Sequence, residues 1–227
     1  MRNLIMQSLS HIDLFRALTE DELQELSRSA QPVRVGDKTT LIVEGEAGDT
    51  LYCILSGKVK VALSDSEGRE IVLTYLGEGE FFGEMTLFDN RPRSASITTC
   101  EESEFFAIQK DQFREFLGTH PGIMLHLIES LVARLRATDS KVENLAFLDA
   151  AGRIAHTLVE LAEQDGRYTK GGDIIVPRLT QQEISELANT SREMVSRVFS
   201  DFGRRGIITV ADKHIVIHKK LGALGQG

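Results

Sequence analysis

Only two of the 227 residues are cysteine, Cys53 and Cys100. Two isolated thiols cannot make a four-thiolate iron–sulfur centre, nor a tetrahedral zinc site without histidine help. The six histidines are scattered, with no paired ligand spacing. No metal, no haem and no iron–sulfur cluster is therefore expected, and both cysteines read as core strand residues. Long apolar runs are also missing: nothing approaches the ~20 residues of a membrane span. The start MRNLIMQSLSHIDLF lacks the apolar run and small-residue cleavage site of a signal peptide. A cytoplasmic location and no membrane partner are expected, where a disulfide would not persist. Bond-cutting sets are absent too: no Ser-His-acid arrangement, no phosphate-loop lysine, no paired catalytic carboxylates. An enzyme acting on a phosphate ligand is only a remote alternative.

What is present is enough for real cores, with 41% hydrophobic residues, and the length suits two domains or one large one. The net charge of −8 hides an asymmetry. Residues 1–151 carry a net −10, and residues 152–227 a net +2. The mildly basic part also holds the most informative stretch, Thr180 to Arg205, TQQEISELANTSREMVSRVFSDFGRR. Thr180 and Glu183 have capping-box spacing. Ile184, Leu187 and Ala188 follow on one apolar helical face. Asn189 suits a left-handed turn, and Ser191 can cap a second helix whose Val195, Val198, Phe199 and Phe202 face inward. The outward residues are Arg192, Glu193, Ser196, Arg197 and Ser200. Arginine grips guanine with two bonds and glutamate accepts from cytosine, so this reads as a helix-turn-helix for double-stranded DNA. An ordinary helical hairpin with a solvated charged face is the alternative.

Upstream, Thr19 and Glu22 form another capping box, with Leu23 and Leu26 inward. From about Pro32 to Ile108, short β-rich runs alternate with glycine turns: Thr40–Val43, Thr50–Leu55, Lys58–Leu63, Glu70–Leu76, Ser94–Thr99 and Glu104–Ile108. Such spacing predicts an antiparallel sandwich or barrel. A short helix near Asp111–Leu117 follows, and a long one from Pro121 to about Asn144. On it Leu125, Ile128, Val132, Leu135, Asp139, Val142 and Ala146 fall on a 3-4-3-4 repeat. That repeat serves a parallel dimer seam, or packing against the chain's own barrel. Asp139 interrupts it, either setting register or marking where something other than a side chain fills the gap. Gly152–Glu163 reads as an amphipathic helix, Gln164–Asp173 as a polar loop and Ile174–Val176 as a strand. Gly206–Val210 and His214–His218 read as a closing wing turned at Ala211–Lys213.

The second informative stretch is FFGEMTLF followed by Arg93-Ser94-Ala95. Gly83 permits close backbone approach, Glu84 can accept hydroxyl protons from a sugar, and Arg93 with Ser94 offers a grip for a phosphate. A buried Glu84–Arg93 salt bridge would leave the same trace in the sequence.

GEMTLFDNRPRSA resembles the phosphate-binding cassette of cyclic-nucleotide-binding domains. KVENLAFLD with Gly152-Arg153 resembles the hinge of catabolite activator proteins, and Ser191-Arg192-Glu193 to Arg197 their recognition helix. The likeness runs from about Thr19 to His218 and is to the CRP/FNR superfamily, nearer its cyclic AMP receptor branch; the oxygen-sensing branch's cysteine cluster is missing. It implies an α+β protein: a cyclic-nucleotide-binding β-roll (jelly-roll-like) over 1–120, a dimerisation helix over 121–147, a hinge over 148–151 and a winged helix-turn-helix over 152–227. It implies that Gly83 and Glu84 meet the ribose of cyclic AMP, Arg93 and Ser94 its phosphate, Met85 the pocket wall and Thr138 the purine. Arg192, Glu193 and Arg197 would read TGTGA-type half-sites, beside Ser196, with Thr180, Gln181, Ser191 and Lys213 on the DNA backbone. A homodimer and an RNA polymerase contact come with it. Two residues depart from the pattern. Asn189 replaces the usual turn glycine, and Asp139 stands where a small neutral polar residue is usual. Asp139 leaves open cyclic GMP, cyclic di-GMP or a constitutive regulator.

Overall fold

The computed structural model describes residues 6 and 8–218. Two compact units divide the chain, residues 1–136 and 137–227.

In the first unit two four-stranded antiparallel sheets form a β-roll. The strands are β1 (Gln31–Val35), β2 (Thr40–Ile42), β3 (Thr50–Ser56), β4 (Val59–Ser64), β5 (Glu70–Leu76), β6 (Phe81–Phe82), β7 (Ser96–Thr99) and β8 (Ser103–Gln109). Their orders are β1-β8-β3-β6 and β2-β7-β4-β5. Ile42, Val59, Leu76 and Ile97 from one sheet meet Ile54, Phe82 and Phe105 from the other in one core. The opposite face of the first sheet, through Leu51, Cys53, Phe106 and Ile108, packs on helices. These are α1 (Glu20–Leu26), α3 (Lys110–Thr119) and the start of α4 (Pro121–Phe147), while α2 (Met85–Asp89) lies between β6 and β7. β8 is covered on both faces, which is why its sequence is a continuous apolar run rather than an alternating one.

Two sequence readings need correction here. β1, Gln31–Val35, has Pro32 as its second residue, and a strand with proline near its start reads as a break. Cys53 is buried as expected, its thiol pushed up by burial, but Cys100 is exposed in the bend after β7.

In the second unit, α5 (Ala150–Asp165), α6 (Gln181–Leu187) and α7 (Arg192–Arg204) pack with the sheet β11-β12-β10-β9. Its strands are β9 (Arg167–Tyr168), β10 (Ile174–Pro177), β11 (Ile208–Val210) and β12 (His214–Ile217). Ile154, Leu158, Val176, Ile184, Val195, Phe202 and Ile215 form its core. The polar stretch Gln164–Asp173 is not all loop: it contains β9, paired with β10 through Tyr168 and Ile174. The fold is thus α+β: β-roll, long helix and winged helix-turn-helix.

Candidate functional site

The cassette is built where β6 ends. Gly83 adopts φ +83°, a conformation that favours glycine. The reason is crowding by the protein itself: a Cβ there would stand 2.6 Å from an Arg93 Nη1 and 2.7 Å from the Thr50 carbonyl. Gly48 is equally constrained, since its Cβ would lie 2.0 Å from Arg93 Nε. Both glycines leave space for one guanidinium.

Arg93 is 7% exposed. It donates from Nη1 to the Gly83 carbonyl at 3.0 Å and to Thr86 Oγ1 at 3.2 Å. From Nη2 it donates to the Thr50 carbonyl at 2.9 Å. All three acceptors are neutral, and no carboxylate lies in ion-pair distance of it among the described residues. Burial pulls its pKa down, against the pull of Tyr52, Asp49 and Glu84. A buried cation among neutral oxygens is costly unless an anion joins it. Ser94 follows, its hydroxyl donating to Met85 Sδ at 3.2 Å.

The Glu84–Arg93 salt bridge that the sequence left open does not form. Glu84, 4% exposed, instead accepts from Arg134 of α4, Nη1 to Oε1 at 2.9 Å. Arg134 also donates to the Phe81 carbonyl and lies 4.6 Å from the centre of the Phe81 ring. Lys110 of α3 supports the cassette helix from the other side, donating to the Thr86 carbonyl and to Asn90 Oδ1. Gly48, Arg134 and Lys110 were missed in the sequence, where nothing local distinguishes them from solvated residues. Gly83, Glu84, Met85, Arg93 and Ser94 are therefore brought together. Thr138 and Asp139 are exposed residues of α4 in the second unit.

The reading head matches its local code. Thr180 Oγ1 accepts from Glu183 N, and Glu183 Oε2 accepts from Thr180 N at 2.7 Å. Asn189 has φ +45°, and Ser191 accepts from Met194 N at 3.2 Å. Val195, Val198 and Phe202 are buried, with Phe199 only partly so. Gln181, Arg192, Glu193, Ser196 and Arg197 all face solvent. Glu193 is held below the usual carboxylate value by its own backbone N–H, then by Ser191 and Arg192. Lys213 is exposed at the wing turn. Arg178, also missed, holds that turn by donating to the Ala211 and Asp212 carbonyls.

A β-roll with an anion-seeking cassette, followed by a winged helix-turn-helix, defines a ligand-responsive transcription regulator. Residues 32–120 match the cyclic nucleotide-binding domain family, and residues 152–224 the Crp-like helix-turn-helix domain family. A CRP-like cAMP-activated global transcriptional regulator of Mycobacterium tuberculosis is 36% identical, over 92% of this chain and 93% of the relative. The cAMP-activated global transcriptional regulator CRP of Haemophilus influenzae is 41% identical, over 80% of this chain and 81% of the relative. Among solved structures, the c-di-GMP responsive global regulator CLP of Xanthomonas campestris is similar at a TM-score of 0.71 and 28% identity, over 88% of this chain and 99% of that one. The chain belongs to the CRP family of transcription regulators. It is a transcription regulator with a cyclic-nucleotide-binding domain.

Proposed function

We propose that this regulator is a cytoplasmic homodimer that binds cyclic AMP and, so loaded, palindromic TGTGA-type DNA, where it contacts RNA polymerase. The observation that carries the ligand reading is the buried Arg93 cation, whose hydrogen bonds among the described residues go to neutral oxygens, with Ser94 beside it and Glu84 on the same cassette. Arg93 and Ser94 hold the cyclic phosphate, Gly83 and Glu84 the ribose, Met85 a wall, and Thr138 with Asp139 the base. The cAMP-activated relatives support this choice of nucleotide.

The apolar stripe of α4 supports the dimer. Ile123 and Leu127 are buried against the chain's own β-roll, whereas Leu125, Ile128, Val132, Leu135 and Val142 are exposed. A contiguous apolar stripe of this kind marks an interaction surface, and two recognition helices about one helical turn apart, ~34 Å, then meet successive major grooves. On α7, Arg192, Glu193, Ser196 and Arg197 read bases, while Thr180, Gln181, Ser191 and Lys213 position the backbone. Residues 148–151, the two between α4 and α5 and the first two of α5, act as the hinge. A ligand shifts such a switch only by its differential affinity for two states, typically about 1–3 kcal/mol.

Asp139 favours a second reading. A carboxylate can take two bonds from a guanine edge, and the Xanthomonas relative is named as c-di-GMP responsive. Fluorescence anisotropy of a labelled TGTGA-N6-TCACA duplex at fixed salt, with cyclic AMP, cyclic GMP or cyclic di-GMP, separates these. Tighter DNA binding with cyclic AMP alone, lost in Arg93→Ala, is the expected result. Stimulation by cyclic di-GMP alone would replace the first reading with the second. Full stimulation of Arg93→Ala would sink the phosphate assignment.

A further inference from the structure

The short helix α6 leaves its last carbonyls without partners inside the helix, as every helix does. The turn that follows satisfies some of them: Ala188 N bonds to Ile184 O, Asn189 N to Glu186 O and Thr190 N to Ser185 O. The next three carbonyls in the chain are taken by two cations. Lys141 Nζ donates to Leu187 O at 3.2 Å. Arg153 donates from Nε to Ala188 O at 2.8 Å and from Nη2 to Asn189 O at 3.1 Å. Its remaining nitrogen, Nη1, donates to Leu148 O at 2.9 Å.

One planar guanidinium therefore spans the break between α4 and α5 and the turn of the reading head. Such a span uses the fixed fork of arginine, which a lysine cannot reproduce. Cations are also stabilised at the negative end of a helix dipole. Lys141 belongs to α4 and reaches the same turn from another element. Burial pulls its pKa down, opposed by the charge of Glu160, so the ammonium is held in a partly dry setting.

We propose that Lys141 and Arg153 are positioning residues, a two-cation latch that fixes the reading helices α6 and α7 to the end of α4 in the orientation that binds DNA. The inference rests on the reading of α7 as the DNA-reading helix. A reading head held by three charge-assisted bonds enters the grooves already ordered; an unlatched one must be ordered on binding, at a cost in affinity. Asn144 and His156, whose side chains meet at 2.9 Å, link α4 to α5 but do not reach the turn.

The test uses the full chain with Lys141→Met, Lys141→Arg and Arg153→Lys. Three quantities are read: cyclic AMP affinity without DNA, affinity for the TGTGA-N6-TCACA duplex and for a random duplex at saturating cyclic AMP, and amide hydrogen exchange over residues 144–190. Lys141→Met and Arg153→Lys should weaken duplex binding about ten-fold, within the usual span of coupling between sites. Cyclic AMP affinity should stay within about three-fold, since neither cation belongs to the cassette. Exchange should rise around the turn, and Lys141→Arg should restore most of the DNA affinity. Unchanged exchange or unchanged duplex affinity overturns the latch. So do tighter DNA binding and a parallel fall in cyclic AMP affinity and thermal midpoint, the latter meaning only a weakened fold. If the parent itself does not distinguish the two duplexes, the site sequence is wrong, and the latch is then judged on random-duplex affinity with exchange.

Discussion

The Glu84 carboxylate is paired with the Arg134 guanidinium of the long helix at 2.9 Å, fifty residues away in the chain. The carboxylate is buried and the arginine is 32% exposed. Breaking a fully buried pair costs about 3–5 kcal/mol. With one partner partly in water, about 1–3 kcal/mol is expected for Arg134→Met. Denaturant unfolding should show it, with Glu84→Gln recovering part of the loss in the double variant. An unchanged midpoint would mean that the pair contributes nothing.

Gly48→Ala places a methyl group where the Arg93 guanidinium lies. The glycine has no positive φ to strain, so the damage should fall on the arginine. Cyclic AMP affinity is expected to drop about ten-fold or more, equivalent to about 1.4 kcal/mol, with a smaller effect on the thermal midpoint. Calorimetric titration that finds parental affinity would show that Arg93 tolerates displacement.

Stability of the first unit should carry a pH signature from Glu22. The Thr19 backbone N–H, and then its hydroxyl, hold this carboxyl below its ordinary value of 4.5. A folded-state pKa below the unfolded one stabilises above the unfolded value and is lost as pH falls through the folded one. Glu22→Gln should therefore melt lower than the parent at pH 7, and the gap should close on acidification below about 4.5. A gap that widens in acid would reverse the sign.

The dimer seam is tested by Leu135→Lys. Leu135 is 61% exposed in the single chain, so the charge costs the monomer little, whereas in a coiled-coil seam it meets its own copy. Sedimentation should shift from dimer to monomer, with retained secondary structure. A dimer of unchanged affinity would place the interface elsewhere.

On the DNA side, Glu193→Ala should relax discrimination at one base pair, while Lys213→Ala should weaken all sequences alike and lower the salt slope by about one. Binding-site selection on randomised duplexes separates the two. If Glu193→Ala keeps the parental preference, α7 does not dock as inferred.

Much of the reading head was legible because its code is local. Thr180, Glu183, Asn189 and Ser191 each act within four residues of their partners, and the strands after Thr40 announce themselves by β-branched runs between glycines. β1 and β9 were not: β1 is recruited by pairing with the distant β8, and β9 is only two residues long and is completed by its neighbour β10. Neither has enough apolar pattern of its own. Cys100 reads like its buried counterpart until the bend after β7 turns it outward.

By itself the sequence determined the order of the longer elements, the caps that begin α1, α6 and α7 and the cassette residues from Gly83 to Ser94, since turn chemistry and periodicity are carried by neighbours. Only the tertiary structure decided who partners whom. Arg93 turns to Thr50, forty-three residues back, Glu84 to Arg134, and Arg153 to the Ala188–Asn189 turn. The physical reason is that a buried charge must find its partner wherever sheet closure and helix packing bring one within reach, and no short stretch of sequence records that distance.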